Sequence, residues 1–290
     1  MRDMGVSLIL EGGGARCAFT AGVLDYFLEK KLTFPLTIGV SAGAFVGINY
    51  ISKQYKRILS VVLNKSYMDL RKDSETTDNV LNMFDFLTGL DSMLTELDFD
   101  EFSTSKFKFL IPATDANSGD LIFLNANKSE NRSSLFKMVS ASCANPIFSK
   151  PVTIDHFNYF SSGCSDRLPI IESLRLGYKR SVVVMTRKPD FLHKPYDITD
   201  DLKDRLKNYP NVLDVMRTNH RKYTDSKTIL DFMAYNDDAV IIYPKNEVIQ
   251  NSFDLNYSRI LIQYNEGYKC AKETYINIKN LLNKKEDWYG

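Results

Sequence analysis

The chain has 290 residues, of which 44% are hydrophobic and 25% charged. That balance excludes bulk disorder and collagen-like structure, and it suffices for a full-sized core without disulfide staples. Its 37 basic and 36 acidic residues leave a net charge of +1, so no strong field steers it to nucleic acid and no nucleic-acid partner is expected.

In chain order, residues 6–10 form a short apolar run ended by glycines, which predicts a buried strand. Residues 18–30 carry apolar side chains at 19, 23, 24, 27 and 28, a helical spacing. A second short strand at 36–40 and a helix at 42–53 follow. Strand, helix, strand, helix within about 50 residues argues an α/β sheet with helices on its faces. The charge-free stretch 32–52 invites a transmembrane reading, but Pro35 and its threonines, serines and asparagine dilute it. Residues 66–102 are acidic with scattered aromatics. They read as a helical connection, with a surface lid as the alternative. Their aromatics Tyr67, Phe84, Phe86, Phe99 and Phe102 read as core, with an acyl-chain entrance as the alternative.

Residues 107–113 and 121–124 look like paired strands around Asn117-Ser118-Gly119-Asp120. A helix over 135–144 stops before Pro146. Strand signals return at 151–160 and, strongly, at 181–185. Residues 187–238 are charged and read as two or three helices. A strand at 239–243 and a long helix at 258–282 complete the pattern. A soft boundary near 190 divides an α/β domain over 1–190 from a helical extension over 191–290.

The four cysteines, Cys17, Cys143, Cys164 and Cys270, form no CxxC pair. Reduced thiols and a cytoplasmic setting are expected, and the apolar run before Glu11 is too short for a signal-peptide core. Cys143 and Cys164 read as small buried hydrophobes. No metal-ligand spacing is present, so no metal and no cofactor are expected.

Two motifs could carry chemistry. Gly39-Val40-Ser41-Ala42-Gly43 is a G-x-S-x-G between a predicted strand and a predicted helix. A serine nucleophile must stand proud of a sheet on a sharp turn, and the flanking Gly39 and Gly43 remove side chains that would clash there. The bland alternative is a helix start with Ser41 as its cap. Glu11-Gly12-Gly13-Gly14-Ala15-Arg16-Cys17 joins the first strand to the first helix. Its exposed backbone N–H groups could cradle a phosphate or hold an oxyanion. Cys17 stands where a dinucleotide fingerprint needs glycine, and the lysine of a phosphate-binding loop is missing. Nucleotide binding is therefore the weaker reading.

Together, ILEGGGARCAFTAGVLDYF and IGVSAGAFVG resemble the patatin-like phospholipase family. IPATDANSGD, SASCANPIF and YFSSGCSDRLPI continue the resemblance, and VVVMTRKP, YPNVLDVM and YNEGYKCA look like the C-terminal part of its bacterial branch. The resemblance implies a three-layer α/β fold with a mostly parallel central sheet. It also implies a Ser-Asp dyad acting on a lipid or small ester. Ser41 would attack, Gly12, Gly13 and Gly14 would hold the oxyanion, and Arg16 would fix that loop. No histidine is then needed, and His156, His193 and His220 are expected to be surface or structural. A peripheral membrane contact is compatible with Trp288 and Tyr289, although a packed tail is preferred. These motifs do not set the oligomeric state.

The sequence departs from the family at the dyad. The family's Asp-Gly-Gly aligns with Ser161-Ser162-Gly163, so Ser161 stands at the expected aspartate. A serine hydroxyl cannot take a proton near neutral pH. Three explanations stand open: an impaired member that binds lipid or a partner, a neighbouring base (Asp166 first, Asp155 second), or an altered residue. Asp166 lies five positions late and reads also as a local cap; the same structural reading is preferred for Asp115. Cys17 in place of the loop's last glycine is a milder departure.

Overall fold

The computed structural model describes residues 4–62, 81–92, 96–254 and 256–284. Tyr67, Trp288 and Tyr289 lie outside them. Eight strands form one sheet: β1 (Val6–Leu10), β2 (Leu36–Gly39), β3 (Lys108–Asp115), β4 (Leu121–Asn125), β5 (Val152–Ile154), β6 (Phe157–Ser161), β7 (Arg180–Val184) and β8 (Ala239–Ile242). The order is β5-β6-β3-β2-β1-β7-β8, with β4 also on β3. β1 pairs in parallel with β2 and β7, as do β2 with β3 and β7 with β8. β4, β5 and β6 add antiparallel pairings at one end. The polar segment after β3 makes the expected hairpin: Asp115 Oδ1 accepts from the N–H groups of Asn117 and Ser118.

Helices cover both faces. They are α1 (Ala18–Glu29), α2 (Ala42–Ile51), α3 (Arg57–Val62), α4 (Met83–Ser92), α5 (Phe99–Ser103), α6 (Arg132–Cys143), α7 (Ile170–Arg175), α8 (Asp200–Arg205), α9 (Pro210–Tyr235) and α10 (Tyr257–Asn283). All five residues of β1 are buried, as a parallel central strand requires. Leu8, Leu10, Val182 and Val184 point into the core shared with α1, α2, α6 and α10. Ile9 and Val183 point the other way, into the core of α7 and α9 with Ile170, Tyr223, Leu230 and Met233. The period-2 alternation of the strands thus builds three layers.

The described parts of the acidic connection are α4 and α5, with Phe86 and Phe102 buried. The stretch 32–52 is a strand, an elbow and α2. Among the described residues no helix is long and apolar enough to cross a membrane. Beyond residue 190 the chain is mostly helical, and it also adds β8 to the sheet edge.

α10 returns along α1 at backbone contact. A Cβ on Gly22 would lie 2.0 Å from the Tyr264 carbonyl oxygen, and one on Gly267 would lie 2.0 Å from that of Phe19. Only paired glycines let the helices approach this closely. Tyr264 locks the pair by donating to Asp25 Oδ2 at 2.6 Å. Gly22→Ala should push the helices apart at a cost of about 1–3 kcal/mol. Calorimetry should show a melting temperature several degrees lower, and an unchanged melting temperature would contradict this packing.

Candidate active site

The C-terminal ends of the central parallel strands open on one crevice, the usual ligand position in such sheets. β1 ends in the glycine loop, β2 in Ser41 and β7 in Thr186. In register, Leu10 lies beside Gly39 and Val184. The three segments therefore emerge side by side.

Ser41 occupies φ 53°, ψ −126°. This backbone region is nearly reserved for glycine and costs a side-chain-bearing residue about 1–3 kcal/mol. The surroundings enforce it. The Val40 N–H donates to the Leu10 carbonyl at 3.0 Å, and the Ser41 N–H donates to Ser142 Oγ at 2.9 Å. A Cβ on Gly43 would lie 2.7 Å from the Leu10 carbonyl oxygen, and one on Gly39 would lie 2.7 Å from Ala44 Cα. Ser41 is thus the apex of a tight strand-to-helix elbow and does not cap α2 with its side chain.

The glycine loop lies against this apex. A Cβ on Gly12 would come within 3.0 Å of Ser41 Cβ. The N–H groups of Gly12, Gly13 and Gly14 donate to no backbone carbonyl among the described residues, whereas that of Ala15 is taken by the Ser252 carbonyl at 2.7 Å. Gly14 has φ +57°, and a Cβ there would lie 2.4 Å from the same carbonyl oxygen. Arg16 donates from Nη1 to the Gln250 carbonyl and from Nη2 to Ser252 Oγ, each at 3.3 Å. Cys17 has φ −66°, which a Cβ tolerates. Its thiol is buried and pushed up to about 12, mainly by desolvation.

The loop's other anchor was not legible in sequence. Glu11 is buried; its Oε2 accepts from the Thr186 N–H at 2.6 Å and lies 2.9 Å from Thr186 Oγ1, which is also 2.9 Å from the Gly12 carbonyl. Tyr223 adds a side-chain hydrogen bond. Burial raises the Glu11 carboxyl above its usual range, and these hydrogen bonds only partly oppose that.

Ser41 and the glycine loop face a cavity of about 230 Å³. Its apolar wall includes Phe45, Val46, Met83, Phe86, Leu87 and Leu90, and its polar end includes Ser161, Arg16, Arg167, Arg187 and His193. Cys143 also reaches it, with its thiol hydrogen-bonded to the Ser41 side chain and pushed up to about 12 by burial. Phe86, read from sequence as plain core, therefore does both jobs.

Ser161 sits at the end of β6, where its Oγ accepts from the Gly163 N–H at 3.2 Å. Asp166 is not on the cavity wall. Its Oδ1 accepts from the Leu168 N–H at 2.8 Å, and burial raises its carboxyl. Asp155, in the turn between β5 and β6, and Asp115, at the end of β3, are not on the cavity wall. Among the described residues lining it, Glu11 is the only carboxylate.

His193, expected at the surface or in a purely structural place, lines the cavity, edge-on to Phe191 and Tyr223. Burial, then repulsion from Arg167, Arg187 and Arg16, pushes it down to about 3. It is neutral at neutral pH and a poor proton acceptor. The signal for Thr186 and Arg187 was present in sequence: they follow directly on the strongest strand run.

The family model described as Patatin-like phospholipase matches residues 8–174, more than half of the chain. A domain of unknown function, DUF6363, matches residues 209–283. The uncharacterized protein YjjU of Escherichia coli is 28% identical over 200 residues, 66% of this chain and 54% of that protein. The chain thus spans about half the length of this curated relative. VipD from Legionella pneumophila aligns with 98% of this chain and 89% of its own at 14% identity and a TM-score of 0.37. ExoU of Pseudomonas aeruginosa, solved in complex with SpcU, aligns with 98% of this chain and 54% of the matched chain at 12% identity and a TM-score of 0.44. At those scores the two structures add nothing to the fold seen in the sheet itself.

Two outcomes follow from the geometry. Ser41→Gly releases the elbow strain of about 1–3 kcal/mol against an entropic cost of about 0.5–1 kcal/mol. It should raise the melting temperature, and a fall would show that the elbow is not strained. For His193, the folded pKa of about 3 lies below the unfolded value near 6.5. The unfolded chain then binds the extra proton, so stability is full above about 6.5 and is lost as pH falls toward 3. His193→Leu should flatten the decline in melting temperature across that window. An identical decline in both proteins would refute the assignment.

Proposed function

Because the chain belongs to the patatin-like phospholipase family, we propose that it is a lipid acyl hydrolase in which Ser41 is the nucleophile. The observation that carries this reading is the Ser41 elbow, strained and pressed against a glycine loop whose N–H groups donate to no backbone carbonyl among the described residues, both on the wall of one cavity. The substrate's acyl chain lies along Phe45, Met83 and Leu87, with its carbonyl at Ser41. Ser41 Oγ forms a bond to the carbonyl carbon, and the carbonyl oxygen gains negative charge. The N–H groups of Gly12 and Gly13 hold that charge without reorganising. Collapse expels the alcohol, and water then releases the acyl group from Ser41.

Among the described residues the proton of Ser41 has no efficient acceptor. Ser161 Oγ is not basic, Glu11 is occupied by Thr186 and Tyr223, and His193 is held neutral among arginines. The proton passes to solvent, and turnover is slow. Loss of the base or of the acid that orients it costs about 10⁴-fold or more in serine hydrolases of other folds. The same observation favours a second reading, a lipid-binding or regulatory protein that keeps the acyl cavity. Four free, buried cysteines suit a reducing compartment such as the cytoplasm.

Hydrolysis of a short-chain p-nitrophenyl ester separates the two. We expect slow turnover by the natural chain, none by Ser41→Ala, and an increase of about 10²-fold or more in Ser161→Asp, bounded by that base contribution. If the natural chain and Ser41→Ala are alike while Ser161→Asp turns over, the binding reading replaces the hydrolase. No turnover in any of the three rejects Ser41 as a nucleophile.

A further inference from the structure

Among the described residues the cavity lining carries three guanidinium groups, Arg16, Arg167 and Arg187, against one carboxylate, Glu11. Arg187 pairs with Glu247 at 3.0 Å. Arg16 and Arg167 also line the cavity, but among the described residues neither has a carboxylate partner within ion-pair distance. The acceptors of Arg16 are the neutral Gln250 carbonyl and Ser252 hydroxyl. Those of Arg167 are Asn219 Oδ1 at 2.9 Å and the Tyr196 hydroxyl, whose own proton goes to the Gly163 carbonyl at 3.2 Å. The Nε–H groups of Arg16 and Arg187 are buried without an acceptor. A half-buried guanidinium without a counter-charge is costly. Glu11, the one described carboxylate on the wall, attracts Arg16 but directs its hydrogen bonds to Thr186 and Tyr223, so Arg167 is left without a carboxylate on the wall.

These tethers also fix where the charges sit. Arg167 is held by Asn219 of α9 and lies over the Tyr196 ring, 5.2 Å from its centroid. Arg187 lies over Phe191 at 4.5 Å. His193 sits among all three arginines, each of which disfavours its protonation. The lining residues from α2 and α4, from Phe45 to Leu90, are apolar. The cavity lining thus offers guanidinium groups to an anion and an apolar surface to a hydrocarbon chain.

We propose that the cavity selects a single-chain amphiphile with an anionic head, carboxylate or phosphate, seated on Arg16 and Arg167 with its chain along the Phe45 and Leu87 wall. This rests on the acyl-cavity reading above and deepens it. The arginine end makes the site discriminate by head-group charge, which the nucleophile and the glycine loop alone do not do. If the chain hydrolyses esters, a fatty-acid product is retained at the same end and competes with the next substrate.

The test uses the full-length Ser41→Ala protein, so that turnover does not interfere, and titrates lauric acid, lauryl phosphate and lauryl alcohol by calorimetry below their micelle-forming concentrations. The chain is the same in all three, and only the head changes. At least one anion should bind about tenfold or more tighter than the alcohol, the size of a charged hydrogen bond kept from water. Preference for lauric acid assigns a fatty-acid head, and preference for lauryl phosphate assigns a phospholipid-type head. Arg167→Gln in the same background should remove most of that preference while leaving alcohol affinity unchanged, and Arg167→Lys should retain part of it. Equal binding of acid, phosphate and alcohol overturns the proposal and needs no arginine variant. So does an undiminished preference in an Arg167→Gln protein of native melting temperature. Ester hydrolysis without charge preference rejects this proposal alone. Charge preference without hydrolysis in the natural chain or in Ser161→Asp rejects the hydrolase alone.

Discussion

The site hangs from the register of three parallel strands. Leu10 is level with Gly39 on one side and with Val184 on the other. The residues just beyond, Glu11 to Gly14, Val40 to Ser41 and Thr186, therefore leave the sheet at one height. A shift of one residue in either pairing would turn every strand side chain to the opposite face and carry Ser41 away from the glycine loop. The alternation of Leu8, Ile9 and Leu10 between two cores holds the register. Burial energy spread over three layers thus sustains the local strain at Ser41.

That frame was largely legible in the sequence. Short apolar runs ended by glycine or charge marked β1, β2 and β7, and helical spacing marked α1 and α10. The G-x-S-x-G string told where the elbow would be because a strand and a helix were predictable on either side of it. The glycine loop was equally visible, since three consecutive glycines stand in the string itself.

What surrounds those motifs was not legible, because it is made by pairs far apart in sequence. Nothing local in Glu11 announces Thr186 and Tyr223, and nothing local in Arg16 announces Gln250 and Ser252. Ser142 and Cys143 looked like the end of an ordinary helix, yet they meet the backbone and side chain of Ser41. His193 was expected at the surface or in a structural place, and it lines the cavity between two aromatic rings and near three guanidinium groups. Ser161 is the reverse case: its identity was plain in the sequence, and its meaning depends on what else reaches Ser41.

The grip of Ser252 on the glycine loop has a consequence for the order in which the molecule is made. The segment bearing the elbow is synthesised before its partners, and Ala15 and Arg16 meet theirs only after about 235 further residues. Until then β1 lacks β7, β7 lacks β8, and α1 lacks the helix whose glycine fits against its own. Closing such distant contacts is slow relative to local helix formation. A nascent chain therefore carries Ser41 without a finished glycine loop or a closed cavity wall. The glycine loop gains these contacts only when the segment preceding α10 is in place, and α10 packs along α1 directly after it.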